Sequence, residues 1–106
     1  MGLLNFLKIS DINSGLEEYD LMPQALLLDV RTPEEYHMGH IPGSRNLPLQ
    51  SIDNVSELVH NKTVPLYVYC RSGARSRQAT NLLRAMGYHY VKNIGGIDAY
   101  RGRVVS

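Results

Sequence analysis

Cysteine is almost missing from this chain: one residue, Cys70, stands among 106. That scarcity excludes an internal disulfide and any cysteine-rich metal site, and it suits a reducing compartment. Charge of either sign is not in excess, since 11 Lys and Arg against 10 Asp and Glu leave a formal net charge of +1. No overall field therefore draws nucleic acid or an acidic membrane surface. Long apolar runs are missing too, and nothing approaches the ~20 residues of a membrane span. The opening MGLLNFLKIS has too short an apolar run for a signal peptide and lacks a cleavage pattern. No repeat, low-complexity tract or linker divides the chain. The expectation is one domain over residues 1–106 with its core at about 9–102, cytoplasmic, monomeric, and with neither nucleic acid nor membrane as partner.

What is present alternates between strand and helix patterns. Phe6–Ile9 reads as a short first strand, and Asp11 or Ser10 can cap a helix over residues 12–19. Residues 25–30 (ALLLDV) form a continuous apolar run, the sign of a strand buried on both faces. Thr32-Pro33-Glu34-Glu35 starts a helix with a capping hydroxyl, a proline at its first position and acids in its first turn; it ends near Gly39. Residues 45–49 make a brief strand that Pro48 confines to an edge. Ile52, Val55, Leu58 and Val59 carry helical spacing over residues 51–60, and Ala79, Leu82, Leu83 and Met86 do so over 76–87, where Gly87 stops the helix. Residues 66–69 and 90–94 are further strands; Gly95-Gly96 then turns the chain into a short helix over 97–101. Gly102 weakens that helix, leaving a stub free to fray or to pack on a partner. Such alternation implies right-handed crossovers and a parallel sheet of about five strands with helices on both faces.

Ligands of parallel sheets bind outside the carboxyl ends of the strands. Cys70 and Asp29 both lie at such ends. Cys70 opens the segment Cys70-Arg71-Ser72-Gly73-Ala74-Arg75-Ser76 at a helix N-terminus, where free N–H groups and the positive end of the dipole favour an anion. Gly73 permits a tight turn. Arginines are disfavoured by that dipole, so Arg71, Arg75 and Arg77 need a reason to cluster there, and an anionic thiolate with an anionic substrate supplies one. Lowering a thiol pKa from ~8.5 to ~6 would make the cysteine mostly thiolate at neutral pH. Asp29 and Arg31 read as residues that tie neighbouring loops, with Arg31 facing the same mouth. His40 reads as a packing residue, His37, His60 and His89 lack metal-ligand spacing, and Glu34 and Glu35 are first-turn acids.

Three blocks, in order, carry a family resemblance: LLLDVRTPEEYHMGHIPGSRNLPL (26–49), YVYCRSGARS (67–76) and VKNIGGIDAY (91–100). Together they resemble a rhodanese domain in its small single-domain form, from about Ile9 onward. The resemblance implies the rhodanese-like α/β fold and a sulfurtransferase. Cys70 would take a sulfane sulfur from thiosulfate or a persulfide donor, hold it as a covalent persulfide without any cofactor or metal, and pass it to cyanide or to a thiol, that of a protein included. Residues 71–76 would bind the substrate, with Asp29 and Arg31 in support. Tyr100, where many relatives carry tryptophan, would wall the pocket near the loop. Alternatives are a persulfide carrier, a non-catalytic module, or a phosphatase or arsenate reductase of the same fold. Those phosphatases need five residues between cysteine and arginine, whereas Arg75 comes one residue early.

Overall fold

A computed structural model describes residues 11–106. The elements are α1 (Ile12–Asp20), β1 (Leu26–Asp29), α2 (Pro33–Met38), β2 (Arg45–Asn46), a 3-10 stretch (Leu49–Asn54), α3 (Val55–Leu58), β3 (Leu66–Cys70), α4 (Ala74–Ala85), β4 (Val91–Gly96) and a 3-10 turn (Ile97–Ala99). Among the described residues the sheet has four parallel strands in the order β2-β1-β3-β4. The expected strand over Phe6–Ile9 lies outside the described residues.

The run at 25–30 yields β1 because its side chains fill both layers. Leu28 and Val30 pack with Leu66, Val68, Val55, Ala79 and Leu83 on one face of the sheet. Leu27 joins Ile12, Ile41, Tyr67, Tyr69 and Ile94 on the other. Asp11 caps α1 through bonds to the N–H groups of Asn13 and Ser14, and Thr32 with Glu35 forms a capping box on α2.

Several expected boundaries shift, each for a local reason. The helix over 51–60 becomes a 3-10 stretch and one α turn, broken at Ser51, whose φ/ψ of −109°/18° is not helical. Ser51, Asp53 and Asn54 are weak formers that compete for backbone hydrogen bonds. Ile52, Val55 and Val59 are buried all the same. The edge strand shortens to Arg45–Asn46, and Leu47 and Leu49 still donate to Asp29 and Val30 across Pro48. The fourth strand runs on through Gly95-Gly96, and the closing helix is a single 3-10 turn. The C-terminal stub is pinned: His40 and Val105 exchange backbone hydrogen bonds of 2.8 and 2.9 Å. Among the described residues no helix is long and apolar enough to cross a membrane.

From β1 the chain goes first to β2 on one side and later to β3 on the other. The strand order therefore reverses between β1 and β3, and the ends of these two strands flank the crevice where such sheets bind ligands.

Candidate active site

Strand alternation decides where Cys70 points. Leu66, Val68 and Cys70 share the face covered by α4, while Tyr67 and Tyr69 face α1. The thiol is fully buried at the end of β3, beneath the loop that leads into α4. Gly73 turns that loop at φ 104° and aims its N–H at Cys70 Sγ, 3.0 Å away. The hydroxyl of Ser76, in the first turn of α4, lies 3.4 Å from the same sulfur. Burial pushes the thiol pKa up, but bonds from the Ser76 hydroxyl and from the N–H groups of Ser76, Gly73 and Ser72 outweigh it. The pKa therefore lies below the ordinary thiol value.

Strand β4 braces the loop from behind. Asn93 donates through Nδ2 to the Gly73 carbonyl at 3.1 Å, and its Oδ1 accepts from Ser76 Oγ at 2.7 Å and Gly95 N–H at 2.9 Å. Ile94 is the extra residue of a bulge, since Val68 pairs with Asn93 and Tyr69 with Gly95. Gly96 admits the loop backbone: a Cβ there would stand 2.1 Å from the Arg71 carbonyl oxygen.

None of the arginines expected around the sulfur bonds it: two face carboxylates and the third is exposed. Arg75 grips Glu35 through two bonds, 2.7 and 3.0 Å. The thiolate and Asp29 lie near enough to raise its pKa further, after the dominant effect of Glu35. Arg71 is exposed, with Nε 3.6 Å from Asp98, and Arg77 is exposed on α4. Ser72 is an exposed loop position, and Ala74 is the exposed first residue of α4. Arg31 binds both carboxylate oxygens of buried Asp29, the shortest contact 2.7 Å, and donates to the Gly39 carbonyl at 2.8 Å. Asn46 Nδ2 ties the carbonyls of Asp29 and Arg31 at 3.0 Å each. These two residues thus lock the end of β1 to the loop after α2. His40 stacks on Tyr36 at 3.6 Å with Nδ1 2.8 Å from the Tyr36 carbonyl, a packing role.

Beside the loop lies an open cavity of about 350 Å³ lined by Arg31, Glu35, Met38, Arg71, Ile97 and Asp98, assigned as the mouth because Arg71 is part of the loop that follows Cys70. Tyr100 is not part of it. It packs against the buried cluster on the α1 side of the sheet, as Leu16 and Tyr19 do, and its hydroxyl donates to the Arg103 carbonyl, because the 3-10 turn carries residue 100 past the mouth. Sequence reasoning missed Glu35 and Asn93 as site residues. Glu35 lies 40 positions from Arg75, beyond any local signal; Asn93 stands beside the double glycine, which was the signal available.

The model for the Rhodanese-like domain matches residues 10–103. The chain is 39% identical over 71 residues to Thiosulfate sulfurtransferase PspE of Escherichia coli (strain K12), covering 66% of this chain and 68% of that one. It is 46% identical over 77 residues to a Sulfurtransferase of Allochromatium vinosum, covering 71% and 70%. A solved structure, rhodanese with anions from E. coli, superposes with a TM-score of 0.72 at 35% identity, covering 77% of this chain and 98% of that one.

Proposed function

The chain belongs to the rhodanese-like family of sulfurtransferases, and on that premise we propose that Cys70 carries a sulfane sulfur between a thiosulfate or persulfide donor and a thiophilic acceptor. One observation supports this above others: the only thiol is buried at a strand end and accepts hydrogen bonds from Gly73 N–H and Ser76 Oγ. Donors aimed at a sulfur favour its anionic form, and the thiolate is the nucleophile.

In the first displacement the Cys70 thiolate attacks the outer sulfur of the donor. A new S–S bond forms, the donor's S–S bond breaks, and sulfite or a thiolate leaves with the electron pair. In the second, an acceptor such as cyanide or a thiol attacks the outer sulfur of the Cys70 persulfide and restores the thiolate. The N–H groups of Ser72, Gly73 and Ser76 that face Cys70 would stabilise the outer sulfur in the same way. No general base is needed once the thiol is ionised, and no cofactor beyond the covalent sulfur enters the cycle. A reducing compartment keeps the lone thiol free, and we place the protein in the cytoplasm.

Intact mass after incubation with thiosulfate, or with the hydropersulfide of 2-mercaptoethanol, tests the cycle. The expected result is a gain of one sulfur atom that cyanide removes as thiocyanate, and no gain in Cys70→Ser with the melting temperature retained. Absence of loading from both donors, or loading of Cys70→Ser, sinks the proposal.

A further inference from the structure

From sequence, Arg71, Arg75 and Arg77 promise a positive site that would favour an anionic substrate. The folded site differs. Arg31 is held by Asp29 at 2.7 Å, Arg75 by Glu35 at 2.7 Å, and Arg71 faces Asp98 at 3.6 Å. These three cations thus each face a carboxylate, and the formal charge of the six residues is zero; Arg77, the third arginine of the loop segment, is exposed on α4. Arg31, Glu35, Arg71 and Asp98 line the cavity themselves.

The pair Glu35–Arg75 is the one that bears on the reacting sulfur. Arg75 stands in the first turn of α4, five residues past Cys70 and close enough for the thiolate's charge to be felt at its guanidinium. Glu35 is kept in place from the other side by its capping box, accepting from the Thr32 N–H at 3.0 Å and the Thr32 hydroxyl at 3.1 Å. Bonding to Arg75 holds its carboxyl down at about 2, so the anion is present throughout the neutral range.

Charge then separates the two donor classes. Thiosulfate brings two negative charges against a thiolate that already carries one, and like charges repel unless the site offsets them. A hydropersulfide reacts as the neutral R–S–SH: the thiolate bonds to its outer sulfur, the inner S–S bond breaks, and R–S⁻ leaves with the electron pair. Only one negative charge is handled throughout. A mouth whose cations are already answered suits the second donor better than the first.

We propose that Glu35, by neutralising Arg75, is a specificity-determining residue that turns the site away from dianionic thiosulfate and toward hydropersulfide donors, a reading that rests on the Cys70 persulfide cycle above. Steady-state kinetics with thiosulfate and with the hydropersulfide of 2-mercaptoethanol test it in four proteins: wild type, E35Q, R75Q and E35Q/R75Q. Glutamine retains the capping box. E35Q is expected to lower the thiosulfate KM about fivefold, the scale of a partly exposed ion pair, and to leave the hydropersulfide KM unchanged. R75Q is expected to raise the thiosulfate KM, and the double variant to return close to wild type. A double variant as poor as R75Q would mean that Arg75 binds thiosulfate directly, which overturns the proposal. So would an unchanged thiosulfate KM in E35Q, or equal shifts for both donors. Should E35Q not fold, an R75Q thiosulfate KM equal to wild type overturns it alone. If neither donor loads wild-type Cys70, the persulfide cycle itself fails and takes this proposal with it.

Discussion

Ser76 has one hydroxyl proton and three acceptors within reach: Asn93 Oδ1 at 2.7 Å, Cys70 Sγ at 3.4 Å and the Gly95 carbonyl at 3.5 Å. With its residue fully buried, that proton has no water to satisfy it, so it is shared among the three. An ionised sulfur competes for it better than a neutral one, because bonds to charged groups are the stronger ones. The Ser76 hydroxyl therefore helps to depress the Cys70 pKa. Ser76→Ala is expected to move the pH midpoint of iodoacetamide alkylation upward from its wild-type position. The wild-type midpoint itself should fall below that of an ordinary free thiol. A midpoint unmoved in Ser76→Ala would leave the loop amides alone with that task.

At the scale of elements, the site is a three-part joint between β3, α4 and β4. Strand β3 delivers the sulfur, α4 begins at once so that its first turn can face it, and β4 presses against the loop through glycine. The contact at Gly96 is backbone on backbone, so a methyl group there cannot be accommodated by a side-chain rotation. Gly96→Ala must push the loop 71–73 away from β4, and an overpacked site costs roughly 1–3 kcal/mol. The expected outcome is a lower midpoint in urea, together with a large loss of sulfur loading at Cys70, because Gly73 N–H no longer meets the sulfur. Full loading in a destabilised Gly96→Ala protein would separate the joint from the chemistry.

For the whole molecule, Glu18 and Glu35 are the carboxylates that couple folding to pH most strongly, with Asp11 lowered beside them through its bond from the Ser14 N–H. Glu18 accepts from Lys92 Nζ at 2.6 Å, Tyr67 at 2.7 Å and Tyr90 at 2.8 Å, bonds that fasten α1 to β3 and to residues 90–92. The hydrogen bond from Lys92 leads, with those from Tyr67 and Tyr90 behind it, in lowering its pKa from 4.5 to about 2; Glu35 falls as far through Arg75. A carboxylate with a depressed folded pKa contributes stability above its unfolded value, and that contribution drains away as pH falls through the folded value. The contribution of these carboxylates should therefore be flat above pH ~5 and decline from pH ~4.5 toward ~2. Glu18→Gln is expected to be less stable than wild type at pH 6 and to converge with it near pH 2. Parallel pH curves for the two proteins would remove Glu18 from the account.

Sequence alone determined the layered α/β architecture, because an apolar run such as ALLLDV has no reason to exist unless both faces of its strand are covered. It also determined where the thiol would stand, since a strand, a glycine-bearing loop and a helical pattern follow one another within Leu66–Ala85 and need only local physics to be read. The helix at 51–60 and the closing helix were misjudged where polar residues and Gly102 left propensity weak and packing made the decision. Only the tertiary structure decided the charge of the mouth. Arg75 and Glu35 are brought together by two different strand-to-helix connections, and Arg71 meets Asp98 only because β4 ends beside the loop. Pairings of that kind depend on strand order, which the pattern of a single segment does not carry. The same holds for Asn93 and for the pinning of Val105 to His40: each is a contact between residues distant in sequence, fixed by the order in which the strands lie in the sheet.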